Sequence, residues 1–296
     1  MNSQFSCVGL VGRIANESTQ YALKTLLAFL AGQKVKVLLD EETSSVLEEF
    51  DVDIVSRRLL GKKCDLIIVV GGDGSLLSAA RSFASNKVKL LGINRGRLGF
   101  LTDISPEEIE SKVGEVLAGK YVSEQRFLLS AEVKREGESV SNHLALNDVV
   151  IHPGQFIRMI EFELYINDDF VYRQRSDGLI ISTPTGSTAY ALSCGGSIMH
   201  PSLDAIVLVP LNPHTLSSRP IIVHGDSEIK LRIIHQPIQP HMSCDGQTHI
   251  VTQVGDELVV SKAKNSVELI HPEDHDFYET CRSKLGWASH LTENKH

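Results

Sequence analysis

The sequence predicts a Rossmann-like α/β domain followed by an all-β domain. Apolar strands alternate with helical patterns through the first 123 residues, and short β-rich runs separated by turn signals follow from Arg126. The chain has 296 residues, which exceeds the usual size of a single domain. We therefore expect an α/β domain over 1–123, a β-sandwich over 124–266, and a helical tail over 267–296 that packs back on the first domain.

The first half begins with a β-α-β pattern. Phe5–Val11 is typical of a buried strand, and four leucines at helical spacing follow it and stop before Gly32. Val35–Leu39 then predicts a second strand, while Asp65–Val70 and Val88–Ile93 predict two more. This alternation indicates a doubly wound parallel sheet.

Three further segments of the chain predict helices. Leu76–Phe83 has helical spacing, and Ser105–Glu108 supplies an N-cap, a proline at the first helical position and a capping-box glutamate. Gly119 ends that second helix. The apolar residues of Phe277–Leu285 share one helical face, which predicts the helix of the tail.

The second half shows strand patterns interrupted by one helix. The helix begins at Thr185–Ser187 and carries Tyr190–Cys194, and turn signals occur at Pro153–Gly154 and Asn167–Asp169. Strands are predicted over Phe127–Val133, Leu144–Ile151, Ile160–Ile166, Gly178–Ser182 and Ile229–Ile234.

Composition excludes several classes of partner. The formal charge of -8 and the lack of a basic cluster argue against nucleic acid or an anionic membrane. The apolar runs are too short to span a bilayer, and no signal peptide is expected at the start. The five scattered cysteines predict reduced thiols and a cytoplasmic protein. Individual histidines, such as His152, His200 and His271, are expected to be ordinary side chains rather than metal ligands.

The glycine-rich turn after the strand Asp65–Val70 is the first candidate site. Gly71, Gly72 and Gly74 free the backbone to approach a phosphate and to adopt positive φ, and the following helix directs its N-terminus at the same anion. Asp73 repels a phosphate unless a metal ion or a chemical step requires it, which points to phosphoryl transfer. The same four residues also suit an ordinary tight turn.

The run Asp177–Tyr190 is the second candidate site. It delivers several hydroxyl groups to a helix start, where they either cap the helix or donate to an oxygen-rich ligand. Tyr190 suits stacking on an adenine or ribose face. Asn147 and Asp148 are expected inside a strand, where one should face a ligand hydroxyl. Asp245–Gln247 is a weaker signal, because Asp-Gly also forms hairpin turns.

Five stretches in this order resemble the motifs of the NAD kinases, particularly the bacterial ones. They span nearly the whole chain: Gly71–Gly74, Asn94–Leu101, Asn147–Asp148, Asp177–Tyr190 and Asp245–Gln247. The resemblance implies transfer of the terminal phosphoryl group of ATP to the 2′-hydroxyl of the adenosine ribose of NAD, giving NADP and ADP. It also implies a divalent cation such as Mg²⁺, a phosphate-donor domain before an NAD-binding domain, and a homodimer or homotetramer.

The resemblance further implies roles for individual residues. Asp73 would be the general base, Gly71, Gly72 and Gly74 would bind phosphate, and Asn147 and Asp148 would hold the nicotinamide ribose. No metal ligands are implied. The residues implied in substrate binding are Asp73, Gly74, Asn147, Asp148, Arg158, Arg175, Asp177, Thr188, Ala189, Tyr190, Ala191, Leu192, Ser193 and Gln247.

Two other functions stay open at this point. A lipid or sugar kinase shares the glycine-aspartate turn, but the low cationic character suits an acidic lipid surface poorly. A non-catalytic module that senses NAD or NADP would use the same clefts, but it would gain nothing from Asp73 beside a phosphate. The sequence does not distinguish ATP from polyphosphate as donor, or NAD from NADH as acceptor.

Overall fold

The chain forms two compact units in a computed structural model. The model describes residues 3–12, 17–46, 50–96, 98–154, 159–215, 217–235 and 239–287. The first unit combines Met1–Gln125 with Val267–His296, and the second is Arg126–Ser266. Within the described residues, no helix is both long enough and apolar enough to cross a membrane.

The described residues contain 17 strands and six α-helices. The strands are β1 (Cys7–Gly12), β2 (Lys36–Asp40), β3 (Asp53–Val55), β4 (Leu66–Val70), β5 (Lys89–Ile93), β6 (Val122–Arg135), β7 (Glu138–Ala145), β8 (Asp148–His152), β9 (Ile160–Ile166), β10 (Asp169–Ser176), β11 (Gly178–Ser182), β12 (Ala205–Leu211), β13 (Ile221–His224), β14 (Ile229–His235), β15 (His241–Cys244), β16 (Thr248–Val251) and β17 (Glu257–His271). The α-helices are α1 (Glu17–Ala31), α2 (Arg57–Lys63), α3 (Asp73–Phe83), α4 (Gly114–Leu117), α5 (Tyr190–Ser193) and α6 (Phe277–Leu285).

The first unit is built on a parallel sheet in the order β3-β2-β1-β4-β5, and the end of β17 pairs with β5. Every residue of β1 and β4 is buried, as expected of strands covered on both faces. The leucines of α1 pack on one face of this sheet. On the other face, a Cβ at Gly9 would lie 3.1 Å from Leu60 of α2. The predicted Rossmann-like α/β arrangement is confirmed.

The helix predicted after Ser105 is present but irregular. The Ser105 N–H and hydroxyl donate to the Glu108 carboxylate at 3.2 and 2.6 Å, which confirms the capping box. A 3₁₀ turn, a π turn over Ile109–Val113 and α4 then follow in succession. Gly119 has a φ of +90°, which suits the residue that ends a helix.

The helix predicted in the tail is also confirmed. The Asp276 carboxylate accepts the Tyr278 N–H at 2.8 Å as an N-cap, and Gly286 ends α6 with a φ of +67°. Cys281 is buried, whereas Phe277 and Leu285 are half-buried. The remainder of the predicted tail, 288–296, lies outside the described residues.

The second unit consists of two antiparallel sheets that share a core. One sheet has the order β13-β12-β11-β8-β15-β16, and the other contains β10-β9-β14-β17 together with β6 and β7. Val149 and Ile181 of the first sheet and Phe162 and Leu231 of the second belong to one buried cluster. The predicted β-sandwich is therefore confirmed, and β9 and β11 have the predicted bounds.

The strand predicted over Leu144–Ile151 is wrong as a single element. β7 ends at Ala145 and β8 begins at Asp148. The backbone N–H groups of the intervening residues donate to the carboxylate of Asp245, which replaces the hydrogen bonds of a strand ladder. Asn147 therefore lies in a turn, and Asp148 is the first residue of the next strand.

Candidate active site

In the first unit, β4 leads through the glycine turn directly into α3. Gly72 is the N-cap of this helix and Asp73 is its first residue. The predicted sequence of strand, turn and helix is confirmed. The N-terminus of α3, which carries a partial positive charge, thus lies beside the carboxylate of Asp73.

The glycines of this region supply space rather than unusual backbone angles. Gly71, Gly72 and Gly74 all have negative φ, so the turn does not use the positive φ that glycine permits. A Cβ at Gly71 would lie 2.3 Å from the Ser75 hydroxyl oxygen, and one at Gly99 would lie 2.1 Å from Asp73 Oδ1. A side chain at either position would collide with these neighbouring side chains unless they moved.

The carboxylate of Asp73 is held by the loop that follows β5. Asp73 Oδ2 accepts the Phe100 N–H at 2.9 Å, and Oδ1 accepts the Leu101 N–H at 3.1 Å and the Thr102 hydroxyl at 3.2 Å. Three donors fix the orientation of the side chain. Oδ2 keeps one lone pair for a further partner.

A cavity of about 340 Å³ opens beside Asp73 within the first unit. Of the described residues that line it, Asp73 is the one with a carboxylate, and Arg95 and Lys284 are the cations. Neither cation forms an ion pair with another described residue. Gly71 and Gly74 do not contribute to the lining. The complete lining is Ser18, Gly72, Asp73, Arg95, Leu98, Gly99, Thr102 and Lys284.

In the second unit, most hydroxyl groups of the predicted ligand run bind the backbone instead. Thr183 donates to the Leu146 carbonyl at 2.6 Å, and Ser187 donates to the Pro184 carbonyl at 2.7 Å. Thr188 lies 3.4 Å from the Thr185 carbonyl. These contacts stabilise the turn that presents α5. None of them caps a helix N-terminus, so the capping interpretation is wrong for these side chains.

Asp245 organises the residues at the start of β8. Its carboxylate accepts the N–H groups of Leu146, Asn147 and Asp148 at 3.1, 2.8 and 3.3 Å. Asn147 Oδ1 is buried without a hydrogen-bond partner, so it remains available to a donor. Asp245 and Gly246 have φ of +52° and +62° and turn β15 into β16.

The pKa of Asp148 is raised well above that of an ordinary aspartate. Burial and the nearby charge of Asp245 raise the pKa of Asp148 to about 7. Asp148 is almost fully buried, and burial is the larger of the two causes. Asp148 can therefore exchange a proton near neutral pH.

Many of the binding residues predicted from the sequence line one cavity of about 710 Å³ in the second unit. Those that line it are Asn147, Asp148, Asp177, Ala189, Tyr190 and Ser193. Thr188, Arg175, Leu192 and Gln247 lie outside its lining, and Ala191 is buried in the apolar layer beneath α5. Arg158 lies outside the described residues.

Comparison with known proteins identifies the family. The model of the ATP-NAD kinase N-terminal domain matches residues 8–121, and that of the C-terminal domain matches residues 146–272. The chain belongs to the ATP-NAD kinase family. It is therefore an enzyme, a phosphotransferase of the NAD kinase type.

Relatives and solved structures agree with this assignment. The chain is 71% identical to an NAD kinase of Saccharophagus degradans, over 97% of this chain and 98% of that one. It is 66% identical to an NAD kinase of Teredinibacter turnerae over 97% and 98%. Yeast NADH kinase, crystallised with NADH, is similar with a TM-score of 0.90 and 25% identity, covering 99% of this chain and 94% of the other. The fold, the enzyme class and the resemblance to NAD kinases are thus confirmed.

Several lining residues were missed by reasoning from the sequence. Cys194, Asn212 and Ser243 line the larger cavity, and Asn212 donates to the Asp177 carboxylate at 2.9 Å. Lys284 lines the smaller one from α6. Asn212 and Lys284 stand far along the chain from the motifs they join, so no local pattern marks them. Cys194 directly follows the predicted Ser193, and Ser243 lies two positions before Asp245. The sequence analysis marked Asp245 as a weak candidate. It did not predict that the carboxylate binds the backbone N–H groups at the start of β8.

Proposed function

We propose that the enzyme transfers the terminal phosphoryl group of ATP to the 2′-hydroxyl of the adenosine ribose of NAD, giving NADP and ADP. Asp73 is the general base of this reaction. The observation that carries the proposal is the placement of Asp73, the carboxylate of a cavity that also holds two cations and the start of α3. A phosphate-binding site needs the cations, whereas the carboxylate is needed by the chemical step or by a metal ion.

Asp73 acts late in the reaction. A ribose hydroxyl is a weak acid, so it loses its proton as the bond to a loose, metaphosphate-like group forms. The remaining lone pair of Asp73 Oδ2 accepts that proton. The hydrogen bonds from Phe100, Leu101 and Thr102 keep the carboxylate from rotating away, so little reorganisation is needed.

The larger cavity binds NAD. Ribose hydroxyls are donors, and Asn147 Oδ1 and the carboxyl groups of Asp148 and Asp177 are acceptors for them. We assign the nicotinamide ribose to Asn147 and Asp148. Tyr190 is half exposed at the rim and offers a ring for stacking. Thr188, Ala191 and Leu192 support the turn that carries Tyr190, while Arg158, Arg175 and Gln247 are further substrate contacts.

The phosphates of ATP bind in the smaller cavity. Arg95 and Lys284 neutralise them, and the backbone N–H groups at the start of α3 contribute dipoles of the same sign. The Gly71 N–H does not contribute, because it donates to the Ile93 carbonyl at 2.9 Å. Arg95 Nη2 lies 3.5 Å from the position of a Cβ on Gly72, so the guanidinium stands directly over the turn.

A divalent cation such as Mg²⁺ accompanies ATP. The oxygen donors of the smaller cavity fit such an ion, since Mg²⁺ binds one or two carboxylates together with substrate phosphates. Asp73 is the carboxylate available there, and the Thr102 and Ser18 hydroxyls are neutral oxygens beside it. When bound, the cation disperses charge on the transferring phosphate.

We further propose a cytoplasmic homodimer or homotetramer. The free thiols of all five cysteines suit a reducing compartment. Ile222 on β13 and Val251 on β16 are half exposed on edge strands, where a second copy would cover them. Light scattering after gel filtration measures the assembly, and a monomer at micromolar concentration would contradict this part of the proposal.

The test is a coupled assay of the purified chain with NAD, ATP and Mg²⁺, in which an NADP-specific dehydrogenase reads the product. We expect NADP to form, with ADP released in equal amount. Parallel reactions with NADH and with polyphosphate determine the acceptor and the donor. NAD binding without turnover of any donor would favour a sensing module, and phosphorylation of a lipid or sugar but not NAD would favour the other kinases.

A further inference from the structure

A buried cluster of two histidines and one aspartate lies in the first unit, apart from the cavity described above. His271 is the last residue of β17, His275 precedes α6, and Asp103 follows the loop that holds Asp73. Asp103 Oδ2 lies 2.9 Å from His271 Nδ1 and 2.8 Å from His275 Nδ1. The two imidazole rings stack with centroids 4.0 Å apart.

The cluster leaves two buried polar atoms without partners. His271 is 1% exposed and His275 is 8% exposed. Asp103 Oδ1 and His271 Nε2 have no hydrogen bond. His271 Nε2 lies 3.7 Å from the Glu124 carboxylate, beyond hydrogen-bond distance. Unsatisfied buried atoms are costly, so the cluster needs a further component.

The two ring nitrogens of His271 face different carboxylates. Nδ1 lies 2.9 Å from Asp103 Oδ2, and Nε2 lies 3.7 Å from the Glu124 carboxylate. A metal ion bound at Nδ1 would leave the Nε2 N–H pointing toward Glu124, as in other metal-bound histidines.

His275 supplies a second ring nitrogen at the same point. Its Nδ1 lies 2.8 Å from Asp103 Oδ2, the oxygen that also faces His271 Nδ1, and the two rings stack with centroids 4.0 Å apart. One metal ion can therefore bind both Nδ1 atoms and the carboxylate together.

We propose that Asp103, His271 and His275 bind a divalent transition-metal ion of the Zn²⁺ class. One ligand atom from each residue lies within 4.8 Å of the others. Ligand atoms of a tetrahedral zinc site stand about 3.3 Å apart. Asp103 Oδ2 lies 2.9 and 2.8 Å from the two Nδ1 atoms, so the carboxylate needs to move away from them by only a few tenths of an ångström to admit the ion. Glu124 orients His271 from the second ring nitrogen, as carboxylates do for many metal-bound histidines.

The donor set selects the metal. Imidazole nitrogens favour Zn²⁺, Co²⁺ or Ni²⁺, whereas Mg²⁺ and Ca²⁺ require oxygen ligands. This site is therefore separate from the cation that accompanies ATP. A second group of potential ligands, Asp204, His224 and Asp226, is exposed and already binds Lys262. It serves as a control.

The metal would tie three segments of the first unit together. Asp103 directly follows Thr102, whose hydroxyl donates to Asp73. The bound ion would fix this loop to the end of β17 and to the segment before α6. We therefore expect a structural role, seen as an increase in Tm.

The experiment measures Zn²⁺ bound to the full chain. The protein is stripped by chelation, incubated with Zn²⁺ near neutral pH, gel-filtered and analysed for metal, and affinity is measured by calorimetry. We expect one ion per chain and a higher Tm with Zn²⁺. His275→Phe keeps an aromatic ring against His271 and should lose the ion, whereas His224→Phe should bind it as the wild type does.

Two further results keep the proposal falsifiable if His275→Phe fails to fold. Glu124→Gln should weaken Zn²⁺ binding by about 10- to 100-fold without abolishing it. Co²⁺ in the wild type should give the intense visible absorption of a tetrahedral site. Failure of the stripped wild type to bind Zn²⁺, or equal binding by His275→Phe, would overturn the proposal and leave two histidines that are hydrogen-bonded to Asp103. Neither result depends on NAD phosphorylation.

Discussion

Two aspartates, one in each unit, bind backbone N–H groups of distant loops in the same way. Asp73 accepts those of Phe100 and Leu101, and Asp245 accepts those of Leu146 and Asn147. Their surroundings differ. Asp73 stands in a cavity with two cations, whereas Asp245 stands beside Asp148.

The comparison shows that one backbone arrangement serves two purposes. Near cations and a helix N-terminus, a fixed carboxylate can accept a proton beside bound phosphate. Beside a second acid, a fixed carboxylate raises the pKa of its neighbour and aligns acceptors for hydroxyl groups. We therefore expect the loss of Asp73 to affect chemistry and the loss of Asp245 to affect binding.

The largest effect is expected from Asp73→Asn. The amide cannot accept the hydroxyl proton, so kcat should fall by about 10²- to 10⁴-fold. The fold should survive, with a loss of about 1–3 kcal/mol for the hydrogen bond that the amide cannot accept. Thr102→Val removes one donor to the same carboxylate and is the control; it should retain most turnover. Steady-state rates and thermal melts measure both variants.

The pH dependence of stability sharpens the contrast at Asp148. Its pKa is about 7 in the folded protein and about 3.9 when unfolded, so the fold binds this proton more tightly. Stability from this group is present at low pH and is lost as pH rises through 7. Between pH 5 and pH 8 the wild type should lose about 2–3 kcal/mol more than Asp148→Asn. Urea unfolding of both proteins at the two pH values tests this, and parallel curves would contradict it.

Asp245→Asn tests the positioning side of the comparison. Losing one carboxylate oxygen releases the loop that carries Asn147, so the KM for NAD should rise about 10-fold or more, and stability should fall by about 2 kcal/mol. The KM for ATP should not change. If Asp245→Asn instead lost turnover at saturating NAD and kept the wild-type KM for NAD, the two aspartates would not have the different roles proposed here.

The smallest effect is expected at Tyr190. Tyr190→Ala removes a stacking surface worth about 1 kcal/mol, so the KM for NAD should rise about fivefold with little change in kcat. Tyr278→Ala, at a similarly exposed tyrosine of the first unit, is the matched control. An equal effect in the control would remove Tyr190 from the NAD site.

The sequence predicts what local patterns determine. β4, the glycine turn and α3 are contiguous, so their order and the position of Asp73 follow from hydrophobic spacing and glycine content. The α1 leucines are buried as their spacing predicts. The NAD kinase assignment depended on whole motifs in the right order, which the family models confirm.

Long-range contacts explain what the sequence could not predict. The break between β7 and β8 results from Asp245, about a hundred residues later in the chain. The space required at Gly99 depends on Asp73, which is 26 positions away in the numbering. The contribution of Lys284 depends on where α6 lies within the first unit. None of these relations leaves a periodic signal.

The most direct measurement is single-turnover phosphorylation of saturating NAD by pre-bound ATP, followed by rapid quench, in the wild type, Asp73→Asn and Asp245→Asn. We expect Asp73→Asn to slow the chemical step at least 100-fold, in line with loss of a general base. Asp245→Asn should approach the wild-type rate once NAD is saturating. Equal slowing in both variants, or an unchanged rate in Asp73→Asn, would contradict the assignment of the proton transfer to Asp73.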